Sequence, residues 1–287
     1  MKSADTLRSQ LLNAFDKLTE TDQQAVVKLL ANATSAQRVD ILQLVHKLIN
    51  EVATAREKPP TRASLPFKTY PGTAVIPLPH HLCRLSMPLE AVLRSRRSHY
   101  HYSPGGLDLM ALGSLLTSSY SVNRTAAAYG WSSFPLNVCP SAGGLQPVNI
   151  YVLVTRVTEV PRGLYYFHPY ELTLQLIRDG DLSDAAGESL LQPEFCTAPV
   201  LLVLTCSMDR VLWKYPLRHY RTVHMDTGIV AQSLYLVATA LGLNACAIAG
   251  FRDHELNNLL NIDGHREFAT LVFAVGGGDH LTGKLQP

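Results

Sequence analysis

The densest reactive stretch of the chain is Lys214-Tyr215-Pro216-Leu217-Arg218-His219-Tyr220-Arg221. With Pro216 in the first turn of a helix, Arg218 and Arg221 stand three residues apart and share a face. Cations so close disfavour a protonated Lys214 and favour an ionised Tyr215, which moves both groups toward neutral pH. A lysine tuned in this way is a candidate general base. The competing reading of the same residues is a surface helix whose long cations lie along their own apolar stems.

Three other segments carry weaker signals. Arg96-Arg97-Ser98 offers two guanidiniums and a hydroxyl on adjacent residues, a set that suits an anion because arginine donates to phosphate through two parallel bonds. On its own it reads equally as a solvated cluster. Pro140-Ser141-Ala142-Gly143-Gly144-Leu145-Gln146-Pro147 precedes the strongest strand signal, and its small residues let the backbone approach a planar ligand and present N–H groups to it. Alone it is a turn. In Ala247-Ile248-Ala249-Gly250-Phe251, a glycine after an apolar strand can expose its N–H to a ligand edge. The GxGxxG, GxxxxGK[ST] and HExxH patterns do not occur, nor does a Gly-x-Ser-x-Gly elbow. His80-His81 and His99-x-His101 are accompanied by no HExxH motif and no His/Cys cluster, so no metal site is expected.

The elements that must position these residues follow from pattern. Residues 1–56 read as a separate helical region. Thr21-x-x-Gln24 and Thr34-x-x-Gln37 each resemble a capping box, and Val39, Leu42, Val45, Ile49 and Val52 then recur as one apolar stripe. So small a bundle is marginal alone and is expected to pack on the main body, a dimer mate or another protein. Residues 57–88 hold seven prolines, which excludes long helices and suggests an extended linker over a surface. The body, 89–287, mixes helices near Leu89–Arg96, Leu109–Ser119 and Thr227–Leu241 with strands near Val148–Thr155, Gly163–Phe167, Leu172–Ile177, Val200–Cys206, Cys246–Ala249 and Thr270–Val275. Around His168-Pro169-Tyr170-Glu171 the pattern is that of a hairpin. Because helices and strands do not alternate strictly, the class is α+β and not a doubly wound parallel sheet.

Composition narrows the function. A net charge of +2 on 287 residues, with one short basic cluster, excludes a nucleic-acid tracker. The uncharged run Thr227–Ala249 is long enough for a membrane span, but Gln232, Ser233, Gly242 and Asn244 interrupt it, and a buried helix followed by a strand is the better reading. Five scattered cysteines without CxxC suit neither structural zinc nor a disulfide framework; thiols in a reducing cytoplasm fit. The amphipathic start has no apolar core, so no secretion signal is expected.

Taken in order, these segments resemble the flavin-dependent nitroreductase superfamily, and within it the azoline dehydrogenase branch of thiazole- and oxazole-forming peptide oxidases. The likeness covers roughly Leu89 to Gly278. It rests on Arg96-Arg97-Ser98, the Pro140–Pro147 loop, Lys214-Tyr215 with Arg218 and Arg221, Gly228-x-x-x-Gln232, and Ile248-Ala249-Gly250-Phe251. The resemblance implies a nitroreductase-like fold, a central, mostly antiparallel sheet flanked by helices, with FMN at a homodimer interface. Arg96, Arg97 and Ser98 would hold the flavin phosphate and ring edge. Pro140, Ser141, Ala142, Gly143 and Gly144 would approach the isoalloxazine from the other subunit. Gln232, Ala249 and Gly250 would complete the cofactor site, with the Gly250 N–H facing N5. Lys214-Tyr215 matches the pair linked to catalysis in the azoline branch. Tyr100 stands where nitroreductases commonly have a basic residue, and Ala249 where an acidic residue often precedes the glycine; the latter fits the azoline branch better.

The activity so implied is oxidation of a peptide thiazoline or oxazoline to the azole, with Lys214, or Tyr215 polarised by it, taking the proton. The peptide is either ribosomal or bound to a peptide synthetase carrier, and a synthetase or a cyclase is the partner the N-terminal helices would dock. Two alternatives stay open: an NAD(P)H-dependent nitro- or quinone reductase, and a non-catalytic scaffold partner.

Overall fold

The computed structural model describes residues 63–278, together with 32–35, 37–40, 42–43 and 46. These fall into two compact units. One joins the N-terminal residues to Trp213–Arg218, and the other holds the rest.

In the N-terminal unit the capping box at Thr34 forms as the sequence predicts. Thr34 N–H donates to Gln37 Oε1 at 2.9 Å and Gln37 N–H donates to Thr34 Oγ1 at 3.3 Å, which satisfies two donors that the first helical turn leaves open. Val39 and Leu42, two members of the expected stripe, are exposed. The Thr21–Gln24 box lies outside the described residues.

The larger unit is α+β. Its sheet has seven strands in the order β1-β8-β7-β5-β9-β11-β10, and every neighbouring pair is antiparallel. The strands are β1 (Val75–Pro77), β5 (Val148–Val154), β7 (Gly163–His168), β8 (Thr173–Asp179), β9 (Val200–Ser207), β10 (Leu243–Ile248) and β11 (Glu267–Gly277). All seven residues of β5 are buried, as expected of a central strand covered on both faces. Its alternation sorts the two layers. Tyr151 and Leu153 join Leu201 and Val203 of β9 under the helices α3 (Ser183–Ser189) and α6 (Asp253–Leu260).

The opposite face carries α2 (Leu109–Tyr120) and the long α5 (Tyr220–Ala240), with α1 (Leu89–Ser95) beside α5. Asp108 Oδ1 caps α2 by accepting from Ala111 N–H at 2.6 Å. Leu112, Leu115 and Leu116 bury its inner face. Gly242, at φ 70°, closes α5 in the left-handed conformation that a Cβ disfavours.

Three findings depart from the sequence-based expectations. The helix α5 begins at Tyr220, seven residues before the expected start, and follows a 3-10 turn over Leu217–His219. Pro216 is therefore not in its first turn, and Arg218 precedes the helix that holds Arg221. Within the proline-rich segment, Val75–Pro77 is a strand at the sheet edge, paired with Thr173–Gln175. A hairpin of β3 (Val122–Ala128) and β4 (Trp131–Asn137) was not anticipated; Tyr129 and Gly130, at φ 54° and 80°, form its two-residue turn. The short pair β2 (Leu107–Asp108) and β6 (Val157–Thr158) and the four-residue helix α4 (Asp209–Leu212) complete the unit. No helix among the described residues is long and apolar enough to cross a membrane, and all five cysteines are free thiols.

Candidate functional site

Arg96, Arg97 and Ser98 leave the C-terminal end of α1 and run along the outer edge of β10. His99 N–H donates to Ala245 O at 2.9 Å, and Asn244 Nδ2 donates to His101 O at 2.9 Å. This segment is irregular chain. The hub of the cluster is Tyr235, on α5. Its hydroxyl accepts from Ala247 N–H at 2.7 Å and lies 3.0 Å from Ser98 Oγ. The Arg96 guanidinium rests 5.1 Å from the centre of the Tyr235 ring, and the ring meets Phe273 edge-on at 4.9 Å. One side chain thus ties α5, the sheet edge and the Arg96–Ser98 segment together.

Arg97 Nη1 turns back on the end of α1 and donates to Arg94 O and Arg96 O, both at 2.8 Å. The neighbouring acid, Glu90, is engaged by Arg94 at 2.8 Å, and no carboxylate pairs with Arg96 or Arg97 among the described residues. Burial, helped by the charge of Arg96, holds the His99 imidazole below its ordinary pKa. Further along the same edge, Gly250 follows β10. Its carbonyl accepts from Leu191 N–H at 3.0 Å, while its own N–H meets no acceptor among the described residues. Ala249 beside it is exposed.

The glycine loop lies elsewhere on α5. Ala142–Gly144 forms a 3-10 turn in which Gly143 and Gly144 take φ of 61° and 69°. A Cβ on Gly144 would come within 2.8 Å of Leu136 Cδ2. Gln146 N–H donates to Ser141 Oγ at 2.9 Å, and the Tyr129 hydroxyl at the hairpin tip donates to Gly143 O. The anchor is Asp226, only 3 % exposed, whose carboxylate accepts from Ala142 N–H at 3.1 and 3.3 Å. Burial pushes its pKa up to about 6, against the lowering effect of that single N–H.

Behind the loop, Arg210 donates to Gln146 O at 2.9 Å and to Asn149 Oδ1 at 2.7 Å. Glu267 Oε1 accepts from Asn149, Tyr151 and Thr205 at 2.9, 2.9 and 2.6 Å. Lys68, from the proline-rich segment, closes this network at 2.7 Å from Glu267 Oε2 and 2.6 Å from the Tyr151 hydroxyl. Burial alone would raise the Glu267 pKa and lower that of Lys68, but their mutual charge and hydrogen bond reverse both shifts.

Asp226 and Tyr235 are nine residues apart on one helix. At about 1.5 Å and 100° per residue they stand about 14 Å apart along the axis and on opposite sides. Within one chain, Arg96 and Ser98 therefore gather at Tyr235 and the Ala142 loop at Asp226, about two and a half turns apart on α5. Gln232 lies between them on an exposed stripe with Met225, Gly228 and Ile229. Lys214 and Tyr215 belong to the other unit, where the Lys214 ammonium stands 4.9 Å from the centre of the Tyr215 ring. Sequence reasoning missed Tyr235, Asp226, Arg210, Glu267 and Lys68; only Asp226 carried a signal, as the last charge before an uncharged run.

This fold, with paired arginines at a sheet edge and a glycine loop before the central strand, defines a class. The model of the nitroreductase family matches residues 93–277, and the chain belongs to that family. It is an oxidoreductase of the nitroreductase fold. MJ1384 of Methanocaldococcus jannaschii, provisionally assigned as a nitroreductase, is 33% identical over 189 residues, 66% of this chain and 90% of its own. The microcin B17-processing protein McbC of Escherichia coli is 28% identical over 144 residues, 46% of this chain and 51% of its own, so the alignment spans about half of McbC. The solved Escherichia coli microcin synthetase McbBCD complex with truncated pro-MccB17 bound contains a chain that matches with a TM-score of 0.54 at 18% identity, over 88% of this chain and 97% of that one. That last likeness is one of fold.

Proposed function

We propose that the protein binds FMN and oxidises a thiazoline or oxazoline in a peptide to the corresponding azole. The observation that carries the reading is the Lys214-Tyr215 pair, ammonium against ring, in a chain of this family that is similar to a peptide-processing protein. Support for the cofactor is the chemistry of the donors. Two guanidiniums without carboxylate partners and the Ser98 hydroxyl suit a phosphate. The free Gly250 N–H suits an acceptor on a ring edge, and Gly143 and Gly144 hold the left-handed turn that brings this backbone to the loop surface. The described residues hold no cluster of metal-ligating side chains.

Bound FMN would supply the hydride acceptor. The chain's own part is to hold the anion at Arg96, Arg97 and Ser98, to offer the Gly250 N–H, and to take a proton. Lys214, or Tyr215 polarised by it, removes that proton from one ring carbon while the neighbouring carbon gives up a hydride. The substrate loses two hydrogens in all. In this reading the Pro140–Gly144 loop, anchored about two and a half turns and half a circumference from the Arg96–Ser98 segment on α5, reaches the flavin from a second copy, and a homodimer completes the site. The exposed stripe of Met225, 65 % accessible, and Ile229, 40 %, is the apolar surface such a pairing would cover. A peptide synthetase carrier or a cyclase would present the substrate.

The test is mass analysis of a thiazoline peptide incubated with the purified protein, read with its visible spectrum. Loss of two mass units is expected. Lys214→Gln with Tyr215→Phe should abolish it while the bound flavin spectrum persists; unchanged turnover would defeat the assignment. A second reading, an NAD(P)H-dependent nitro- or quinone reductase, draws on the likeness to MJ1384. Rapid bleaching of bound flavin by NAD(P)H, with no azole formed, would favour it.

A further inference from the structure

We infer that Tyr235 is the positioning residue of the anion site, and that through it the protein distinguishes a phosphorylated flavin from an unphosphorylated one. The inference rests on the flavin reading above. A phenol has one proton to give. The Tyr235 oxygen already accepts from Ala247 N–H at 2.7 Å, and it shares with Ser98 Oγ, 3.0 Å away, a hydrogen bond that either hydroxyl can donate; with an anion drawing on the Ser98 proton, Tyr235 is the donor. In that arrangement Ser98 accepts from Tyr235 and gives its own proton to the anion. The relay runs from a backbone N–H of β10 through two hydroxyls and ends as a donor on the exposed side of the chain. Successive donors polarise one another, so the terminal hydroxyl is a better partner for an anion than an isolated serine.

The ring of the same residue does the second half of the work. Arg96 lies over it at 5.1 Å, an attraction that holds the guanidinium beside Ser98. Phe273 fixes the ring from the other side at 4.9 Å. Hydroxyl and ring together place a cation and a donor side by side, which an unsupported loop would leave to rotamer chance. Riboflavin has nothing for this pair to bind, whereas FMN presents a phosphate.

The experiment measures dissociation constants for FMN and for riboflavin by quenching of flavin fluorescence on the full-length protein. Wild type should bind FMN more tightly. Tyr235→Phe keeps the ring but breaks the relay, and should weaken FMN about tenfold, the scale of one hydrogen bond to a charged group, while leaving riboflavin unchanged. Ser98→Ala, at an exposed position where folding is not at stake, should do the same, and the double variant should be no weaker than Ser98→Ala alone. Equal losses for both flavins in Tyr235→Phe would mark it as a scaffold residue only and overturn the inference, as would unchanged FMN affinity in both single variants. If wild type binds neither flavin, the flavin reading itself falls and this inference with it.

Discussion

Asp226 should cost the fold stability at neutral pH, and removing its charge should return it. The carboxylate is 3 % exposed and accepts from one backbone N–H. Burial raises its pKa from the ordinary 3.8 to about 6. At 1.36 kcal/mol per pH unit, that difference amounts to about 3 kcal/mol. The native state holds this proton more tightly than the unfolded chain does, so stability falls as pH rises. The contribution is present in full below about pH 4 and is lost above about pH 6. Asp226→Asn mimics the protonated acid, since the amide oxygen still accepts from Ala142 and the amide nitrogen replaces the acid proton. The variant should therefore match wild type near pH 4 and exceed it by about 3 kcal/mol at pH 8, or roughly 6 to 12 °C in Tm. Urea unfolding across pH 4 to 8.5, followed by tryptophan fluorescence, measures both. Parallel pH profiles for the two proteins would refute the argument.

Other perturbations have opposite signs. Lys68→Met leaves the Glu267 carboxylate without its cation in a nearly enclosed network, and should destabilise the larger unit by about 3 kcal/mol; a change below 1 kcal/mol in urea unfolding would count against it. Lys68→Met with Glu267→Gln should recover more than half of that loss. Gly144→Ala must hold a Cβ at φ 69° within 2.8 Å of Leu136 Cδ2, which should cost about 1 to 2 kcal/mol of stability and weaken FMN binding, read by fluorescence quenching, if the loop approaches the flavin.

The parts of the fold that were legible are those where one face of an element meets the core. β5, β7, β9 and α2 show their burial as apolar runs or periodic stripes, and their observed bounds fall within a residue or so of the expected ones. The β3–β4 hairpin was not legible for the same reason inverted. Asn123 to Ala127 are all exposed, so nothing forces an alternation of apolar and polar residues, and Tyr129-Gly130 is not one of the dipeptides that announce a hairpin. The start of α5 was expected seven residues late, at Thr227, because the uncharged run begins there while the first turns of the helix carry Arg221, His224 and Asp226; the helix expected to open at Pro216 is instead a 3-10 turn over Leu217–His219.

The candidate site divides along similar lines. Arg96-Arg97-Ser98, the glycine loop and Gly250 are visible in the sequence because each is a local cluster of unusual residue types. Tyr235 is not, because what sets it apart is three contacts made in space: Ser98 lies 137 residues away, Ala247 lies 12 away, and the Arg96 cation stacks on its ring. Nor does order along the chain reveal the phase of α5. Reading the motifs in sequence suggests one continuous site, whereas two and a half turns of helix separate the loop's anchor from the arginine cluster's hub. In the proposed site, the loop that meets the flavin would be supplied by another copy. The phase of one helix thus makes the homodimer part of the flavin proposal, so that a strictly monomeric protein with a tightly bound flavin would contradict the two-chain site while leaving the family assignment intact.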